Sequence, residues 1–291
     1  MDLFASNRTR VAERTGEREA NARAAAWDPL ASRTRRWSLP AASAPLLVFL
    51  SLPLLAIFLR LDFGGLWDSL NSPFVLHALA LSLTTGTIAS LLTVILGTPL
   101  ALLLARRQFR GRSIVDTLID LPMVLPPAVA GIALLLVFGR RGLLGPGLEA
   151  AGISIVFTPL AVVLAQLFVA SPYYVKSAAA GFAEIDRELE QAAALDGATN
   201  FGVFRYVTAA LAWPALVGGA VMTWARAIGE FGATIIFAGN FPGRTQTMPL
   251  AIYLGFERDL DQAVALAFVL MVVSFGVLLL VKWLLSLRQT G

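Results

Sequence analysis

The chain has 291 residues, 57% hydrophobic and 14% charged, with a mean hydropathy of +0.73 and a formal net charge of +4. A water-soluble domain carries about a quarter charged residues, so this composition excludes an ordinary soluble globule. With no cysteine and a single histidine, His77, disulfides, thiolate chemistry and a clustered imidazole metal site are excluded, and no metal ligands are expected.

Residues 1–38 are rich in Arg, Ala and Glu without apolar periodicity, and read as a disordered or loosely helical tail. A secretory signal is not expected, because the apolar stretch begins only at Leu39 and no small-x-small site follows Leu59. Six apolar spans then follow, at about 44–59, 74–105, 114–138, 155–175, 213–238 and 263–285. Each is long enough, or nearly so, to cross roughly 30 Å of hydrocarbon at about 1.5 Å per residue. Backbone groups in lipid must be satisfied within the segment, and no period-2 alternation is present, so the fold class is all-α and polytopic. The first span, within 39–73, reads as a peripheral helix with an outer loop; the second must tilt or project. Pro122, Pro126 and Pro127 mark the third as kinked or broken. Asp116 and Asp120, at its start, read as helix-dipole or capping acids.

Lys and Arg fall unevenly on alternate sides of these spans. With the N-terminus inside, 17 lie inside and 5 outside, with Arg226 left within a span. Both termini are therefore expected in the cytosol. The arginines sit where topology puts them, with no basic face interleaved with aromatics, so no nucleic-acid partner is expected.

The segment from Lys176 to Leu211 is the longest inner loop. Ile185 to Leu195 is good helix-forming sequence, Asp196-Gly197 supplies a break, and Phe201, Phe204 and Val207 recur at helical spacing. This predicts a helix, a Gly-permitted turn and a second amphipathic helix. If Phe201 and Phe204 are exposed, the knob needs a protein groove to receive it. The alternative is a loop packed on its own bundle or on the lipid interface, and the residues alone leave both open.

Glu190-Gln191-Ala192-Ala193, followed by Asp196, Gly197-Ala198, Phe201, Phe204, Arg205 and Val207, resembles the EAA loop of ABC importer permeases. Gln191 departs from that pattern, and Ala209-Ala210 stand where Leu-Pro often closes it. Over about 74–287 the resemblance extends to LPMVLPPAVAGIALLLVFGRRGLLG (Leu121 to Gly145) and ARAIGEFGATIIFAGNFPGRTQTMPLAIY (Ala225 to Tyr253), which look like molybdate-type permeases, with sulfate and thiosulfate permeases as near relatives. The resemblance implies a type I transmembrane domain over 74–287 whose loop 177–211 docks on an ATP-binding subunit. It also implies a second copy of this chain, two ATP-binding cassette subunits holding ATP and Mg, and an extracytoplasmic oxyanion-binding protein.

No ATP chemistry is expected in the chain itself. A phosphate-binding loop needs GxxxxGK[ST], and the only lysines, Lys176 and Lys282, follow Val175 and Val281. No catalytic residue and no resident cofactor are expected, and hydrolysis is assigned to the partner. Within the fifth span, Arg226 and Glu230 stand four apart and can pair on one helix face. Charges in a bilayer face a bundle interior or a cavity, so the pair either borders the pathway or is a structural ion pair. Gly232 and Thr234 join them as pathway or gate candidates, with Gly229, Gly232 and Gly239 read as packing positions in one helix. Asn240 and Arg244, in NFPGRTQ, are outer-face candidates for an anion or the binding protein, or an ordinary polar turn. A secondary transporter and a non-transporting scaffold are the competing classes. The first would show an internal repeat or coupling carboxylates, for which Glu230 is the one candidate.

Overall fold

The computed structural model describes residues 35–61, 64, 66, 67, 71–258 and 260–289. The expected tail up to residue 34 lies outside them. The chain divides into two compact units, Met1–Leu59 and Arg60–Gly291. In the first, helix α1 spans Arg35–Leu59, so helix begins three residues before the expected end of the tail. Its stretch Ala42–Leu59 has a mean hydropathy of 2.3 and the length to cross a membrane.

The second unit is a helical bundle, with no strand among the described residues. Helix α2, Pro73–Arg106, starts on a proline, whose missing N–H is harmless in a first turn. Its 34 residues extend about 51 Å, longer than the roughly 30 Å of hydrocarbon that it would cross. One face is small: Ala78, Ser82, Thr85, Gly86, Ala89, Ser90, Thr93 and Gly97 are buried. The Thr85, Ser90 and Thr93 hydroxyls donate to carbonyls one turn back, so this face packs closely without orphaned donors.

The third span is not one helix. Helix α3, Arg112–Val124, and α4, Pro127–Phe138, meet at 117°. Pro126 and Pro127 explain the corner: residues before proline avoid helical backbone, and neither proline donates to a ladder. The 12 residues of α4 reach only about 18 Å, too short to cross alone. A short turn of helix, α5, covers Gly145–Ala150.

Helix α6, Pro159–Ala183, is capped by Thr158 and lies at the centre of the bundle, against α2, α3, α4, α9 and α10. It runs two turns beyond the expected end at Val175, so Lys176 is helical and not the first residue of a loop. Helices α7, Arg187–Leu195, and α8, Asn200–Leu211, form the insert, and α8 contains a π turn at Phe204–Thr208. Helix α9, Trp213–Ile228, leaves α8 at 74°. The fifth span also breaks: α9 stops at Ile228 and α10, Gly232–Phe237, restarts after three residues. Gly229, Gly232 and Gly239 therefore lie at the ends of two helices, not within one. Helices α11, Met248–Arg258, and α12, Leu260–Gln289, close the unit.

Among the described residues, four helices are long and apolar enough to cross a membrane, or up to six if each bent pair is one span. Three buried clusters hold the unit together. Ala130, Ala165, Val169, Ala233 and Phe237 join α4, α6 and α10. Leu104, Tyr174, Phe182 and Ala212 join the far ends of α2 and α6 to the start of α9. Val75, Met248 and Leu266 join α2, α11 and α12.

Candidate functional site

The insert after α6 is a two-helix knob. Asp186 caps α7 by accepting from the Glu188 N–H at 2.9 Å, and Thr199 caps α8 by accepting from the Gly202 N–H at 3.1 Å. Between them Gly197 takes φ +90°, and the N–H groups of Gly197 and Ala198 donate back to Ala194 and Ala193. This is a glycine-terminated helix end in which the left-handed residue reverses the chain.

The knob has an anchored side and an outward side. Glu190 Oε1 lies 2.7 Å from Arg106 Nη2, at the end of α2, and accepts the Thr208 hydroxyl at 2.7 Å. Arg106 Nη1 also donates to the Ile185 carbonyl, and Arg187 Nη2 to the Arg106 carbonyl. Phe204 turns inward against Phe182, at 6.4 Å between ring centroids. That differs from the expectation that Phe204 is exposed: the π turn rotates it onto the core cluster. Outward remain Leu189, Ala192, Leu195, Asp196, Gly197, Ala198, Phe201, Arg205 and Tyr206, with Leu195 89% and Phe201 69% exposed, while Ala193 is half-buried. The knob thus presents exposed apolar side chains on a base anchored by an ion pair.

The second locus is the break between α9 and α10. Arg226 Nη1 lies 2.7 Å from Glu230 Oε2, and Glu230 is 1% exposed. The N–H is not aligned for a linear hydrogen bond, so the contact is ionic. The other carboxylate oxygen accepts the Ala233 N–H at 2.8 Å, so Glu230 supplies the acceptor that the first turn of α10 needs. The i,i+4 pair forms as its spacing predicts, but across a helix end and not along one face. Gly232 lies against the first residues of α4: a methyl group there would meet Pro127 Cβ at 2.7 Å. Gly131 lies on Ala233 in the same way. The corner at Pro126 and the break at 229–231 thus meet, and only glycine permits that approach. Thr234 is fully buried, its hydroxyl oxygen without a partner among the described residues.

At the third candidate region, Gly239 and Gly243 have φ +74° and +71°, and the Thr245 hydroxyl accepts the Phe241 N–H at 3.1 Å. Phe241 packs edge-on against Phe157. Asn240 is half-buried and Arg244 is exposed.

Three contributors escaped the sequence reading. Arg106 was counted only for topology, although it anchors the knob from 84 positions away. Lys176 bridges Asp116 at 2.7 Å and Asp120 at 2.9 Å, and the N-cap of α3 is Gly111 without a side-chain bond. The two aspartates therefore tie α3 to α6 and do not cap it. Gln166, in the first third of α6, is fully buried with neither amide atom partnered among the described residues. A lone polar residue in an apolar run was the only available signal. No group of His, Cys, Asp and Glu among the described residues could hold a metal.

A bundle with helices broken at a buried charge pair, bearing an apolar knob, has the architecture of an ABC importer transmembrane domain. A bacterial alginate ABC transporter, solved with its alginate-bound periplasmic protein, superposes with a TM-score of 0.69 over 85% of this chain and 93% of that one, at 19% identity. The chain belongs to the binding-protein-dependent transport system inner membrane component family, which it matches over residues 97–285. It is thus a multi-pass membrane permease subunit. It is 47% identical to the molybdenum transport system permease protein ModB of Mycobacterium tuberculosis, over 84% of this chain and 92% of that protein. It is 34% identical to the molybdate/tungstate permease WtpB of Pyrococcus abyssi, over 83% and 92%. A probable sulfate permease, cysT of Chlorokybus atmophyticus, is 33% identical over 88% and 91%.

Proposed function

We propose that this chain forms, with a second copy of itself, the pathway through which a tetrahedral oxyanion enters the cytoplasm, molybdate or tungstate first and sulfate next. The cargo reading rests on the relatives, whose names concern molybdenum, molybdate/tungstate and sulfate. Two ATP-binding cassette subunits holding ATP and Mg dock on the knob from Arg187 to Leu211, and an extracytoplasmic oxyanion-binding protein docks on the opposite face. Both termini are cytosolic, as the 17-to-5 distribution of basic residues supports. A single chain cannot enclose a symmetric path, which calls for the homodimer.

The carrying observation is the polarity of the knob: Glu190 is tied inward while Leu195 and Phe201 face out. A merely lipid-packed loop has no need for a charge-assisted tie from α7 to the end of α2. Closure of the ATP-bound partners pulls the two knobs together, and α2 and α6 carry the displacement to the helix break. The break at 229–231, pinned by Arg226 and Glu230 and packed through Gly232 on α4, is the element that changes between inward and outward states.

The test is molybdate-stimulated ATP hydrolysis in proteoliposomes, with the co-purified ATP-binding subunit and a loaded binding protein. Stimulation that Gly197→Arg abolishes is the expected result. An absent ATPase partner, or a variant that behaves as the parent, sinks the reading and favours ion-coupled transport.

A further inference from the structure

We infer that the exposed corner between α3 and α4, residues 123–126, lines the water-filled part of the anion's path at mid-membrane, on the surface that a second copy of the chain closes. This rests on the importer reading and gives its pathway a wall.

The corner is short of donors because of its prolines. A helical carbonyl is satisfied by the N–H four residues on. For Pro122 and Met123 those residues are Pro126 and Pro127, which have no N–H. The Val129 and Ala130 N–H groups both donate to the Pro126 carbonyl, at 2.9 and 3.2 Å, and pass over Leu125. Ala128 makes no bond to Val124 either. None of the carbonyls from Pro122 to Leu125 therefore accepts a hydrogen bond among the described residues. Of these four residues only Pro122 is buried, while Met123 is 45% and Val124 79% exposed.

The corner lies at a depth where lipid cannot supply what is missing. Helix α6 is long and apolar enough to cross a membrane. Asp116 and Asp120 of α3 bridge Lys176, in the last third of α6. Ala130 and Leu134 of α4 share a buried cluster with Ala161, Ala165 and Val169, in its first half. The corner between α3 and α4 thus stands opposite the middle of α6. Non-helical backbone is tolerated at that depth only where it is buried in protein or lines a water-filled space.

A second polar feature opens on the same layer. Gly232 lies against Pro127, so the break at 229–231 adjoins the corner. Gly229 is exposed there, and the Arg226 side chain, one turn before the break, is 28% exposed. A guanidinium opening onto hydrocarbon is as unfavourable as an orphaned carbonyl. The exposed positions Leu91 of α2 and Leu279 of α12 differ: both are apolar and sit on unbroken helix, a face that lipid can cover.

Carbonyls do not bind an anion, but they hold water. Each water that donates one hydrogen to a carbonyl has a second left for the ion. The wall therefore carries a dianion past with part of its hydration shell, and fixes it nowhere.

The sequence contains no cysteine, so one substitution places a single thiol in the chain. Met123→Cys and Val124→Cys are compared with Leu91→Cys and Leu279→Cys, and with Ser154→Cys in an exposed loop as the reactive standard. Each is reconstituted in vesicles with the ATP-binding subunit and molybdate-loaded binding protein, and labelling of this chain by a charged, membrane-impermeant thiosulfonate is timed. Thiols react as thiolates and stay protonated in apolar surroundings, so Val124→Cys is expected to label about 10-fold or more faster than both helix controls. ATP and molybdate together are expected to change that rate several-fold. If Val124→Cys does not assemble, Met123→Cys carries the test. Corner variants as slow as the helix controls, in vesicles whose ATPase molybdate stimulates, overturn the wet wall and leave the importer reading standing. Fast labelling that ATP and molybdate leave unchanged marks a static water pocket and overturns the corner's place in the pathway. No stimulated ATPase and no uptake by the parent complex overturn both.

Discussion

Glu190 meets Arg106 at 2.7 Å across 84 positions of sequence, and the oxygen that takes the guanidinium also takes the hydroxyl of Thr208. The contact joins α7, α8 and the end of α2, so the proposed docking face and a helix long enough to cross a membrane share one joint. Both side chains are mostly buried, at 15% and 22% exposure, which favours a coupling of about 1.5–3 kcal/mol over the smaller value of a surface pair. A double-mutant cycle of Arg106→Met and Glu190→Gln, read by thermal unfolding of the detergent-solubilised complex, is expected to return that coupling. The same variants should keep their ATPase partner while losing most binding-protein stimulation. Full stimulation in Glu190→Ala rejects the joint.

The turn at Gly197 permits a cleaner experiment. Nothing in this chain lies within 4 Å of where its Cβ would stand, so within the chain a substitution there acts through the backbone alone. At φ +90° an L-residue is strained by about 1–2 kcal/mol, Asn less than others. Stimulated ATPase should therefore fall in the order Gly, Asn, Ala, Val. A series that follows side-chain volume with no relief at Asn would point instead to direct contact with the docking partner.

Removing Arg226 leaves a carboxylate 1% exposed without its counter-ion. Breaking one side of a buried pair costs about 3–5 kcal/mol, whereas replacing both sides is close to neutral. Arg226→Met is expected to lower the unfolding temperature sharply, and adding Glu230→Gln to restore it, since the amide oxygen can still accept the Ala233 N–H. If the double variant is stable but transports nothing, the pair serves the cycle and not only the fold; if it transports normally, the pathway role of these two residues is lost.

Lys176 offers a milder perturbation. Its two bridges to α3 are a third to a half exposed, so together they contribute about 1 kcal/mol. Lys176→Met should leave global stability nearly unchanged while amide exchange over Arg112–Val124 accelerates several-fold. Asp116→Asn with Asp120→Asn should reproduce the effect, and unchanged exchange in both variants would show that Val115 and Ile119 hold α3 by packing alone.

Much of this architecture was legible in the chain because lipid leaves few alternatives to helix: apolar length gave the spans. The helix–turn–helix at 187–211 was legible too, since capping and turn residues act locally. The corner at Pro126 was signalled, but its 117° was not, because proline marks a break without fixing an angle. The break at 229–231 was hidden by an unbroken apolar and glycine-rich run, and arises from the close fit of Gly232 on Pro127, a contact 105 positions apart that no local pattern encodes. Asp116, Asp120 and Phe204 were misplaced for the same reason. Their partners Lys176 and Phe182 come from α6, and their local setting suited a different role.

The π turn at Phe204–Thr208 accommodates one residue more than an α-helix of that length would use. One surplus residue swings everything before it by about 100° relative to everything after it, the angle of a single helical step. Without it, Phe204 and Thr208 would no longer face Phe182 and Glu190 together, so the surplus residue works as a phase adjuster that brings the knob's two buried contacts into register.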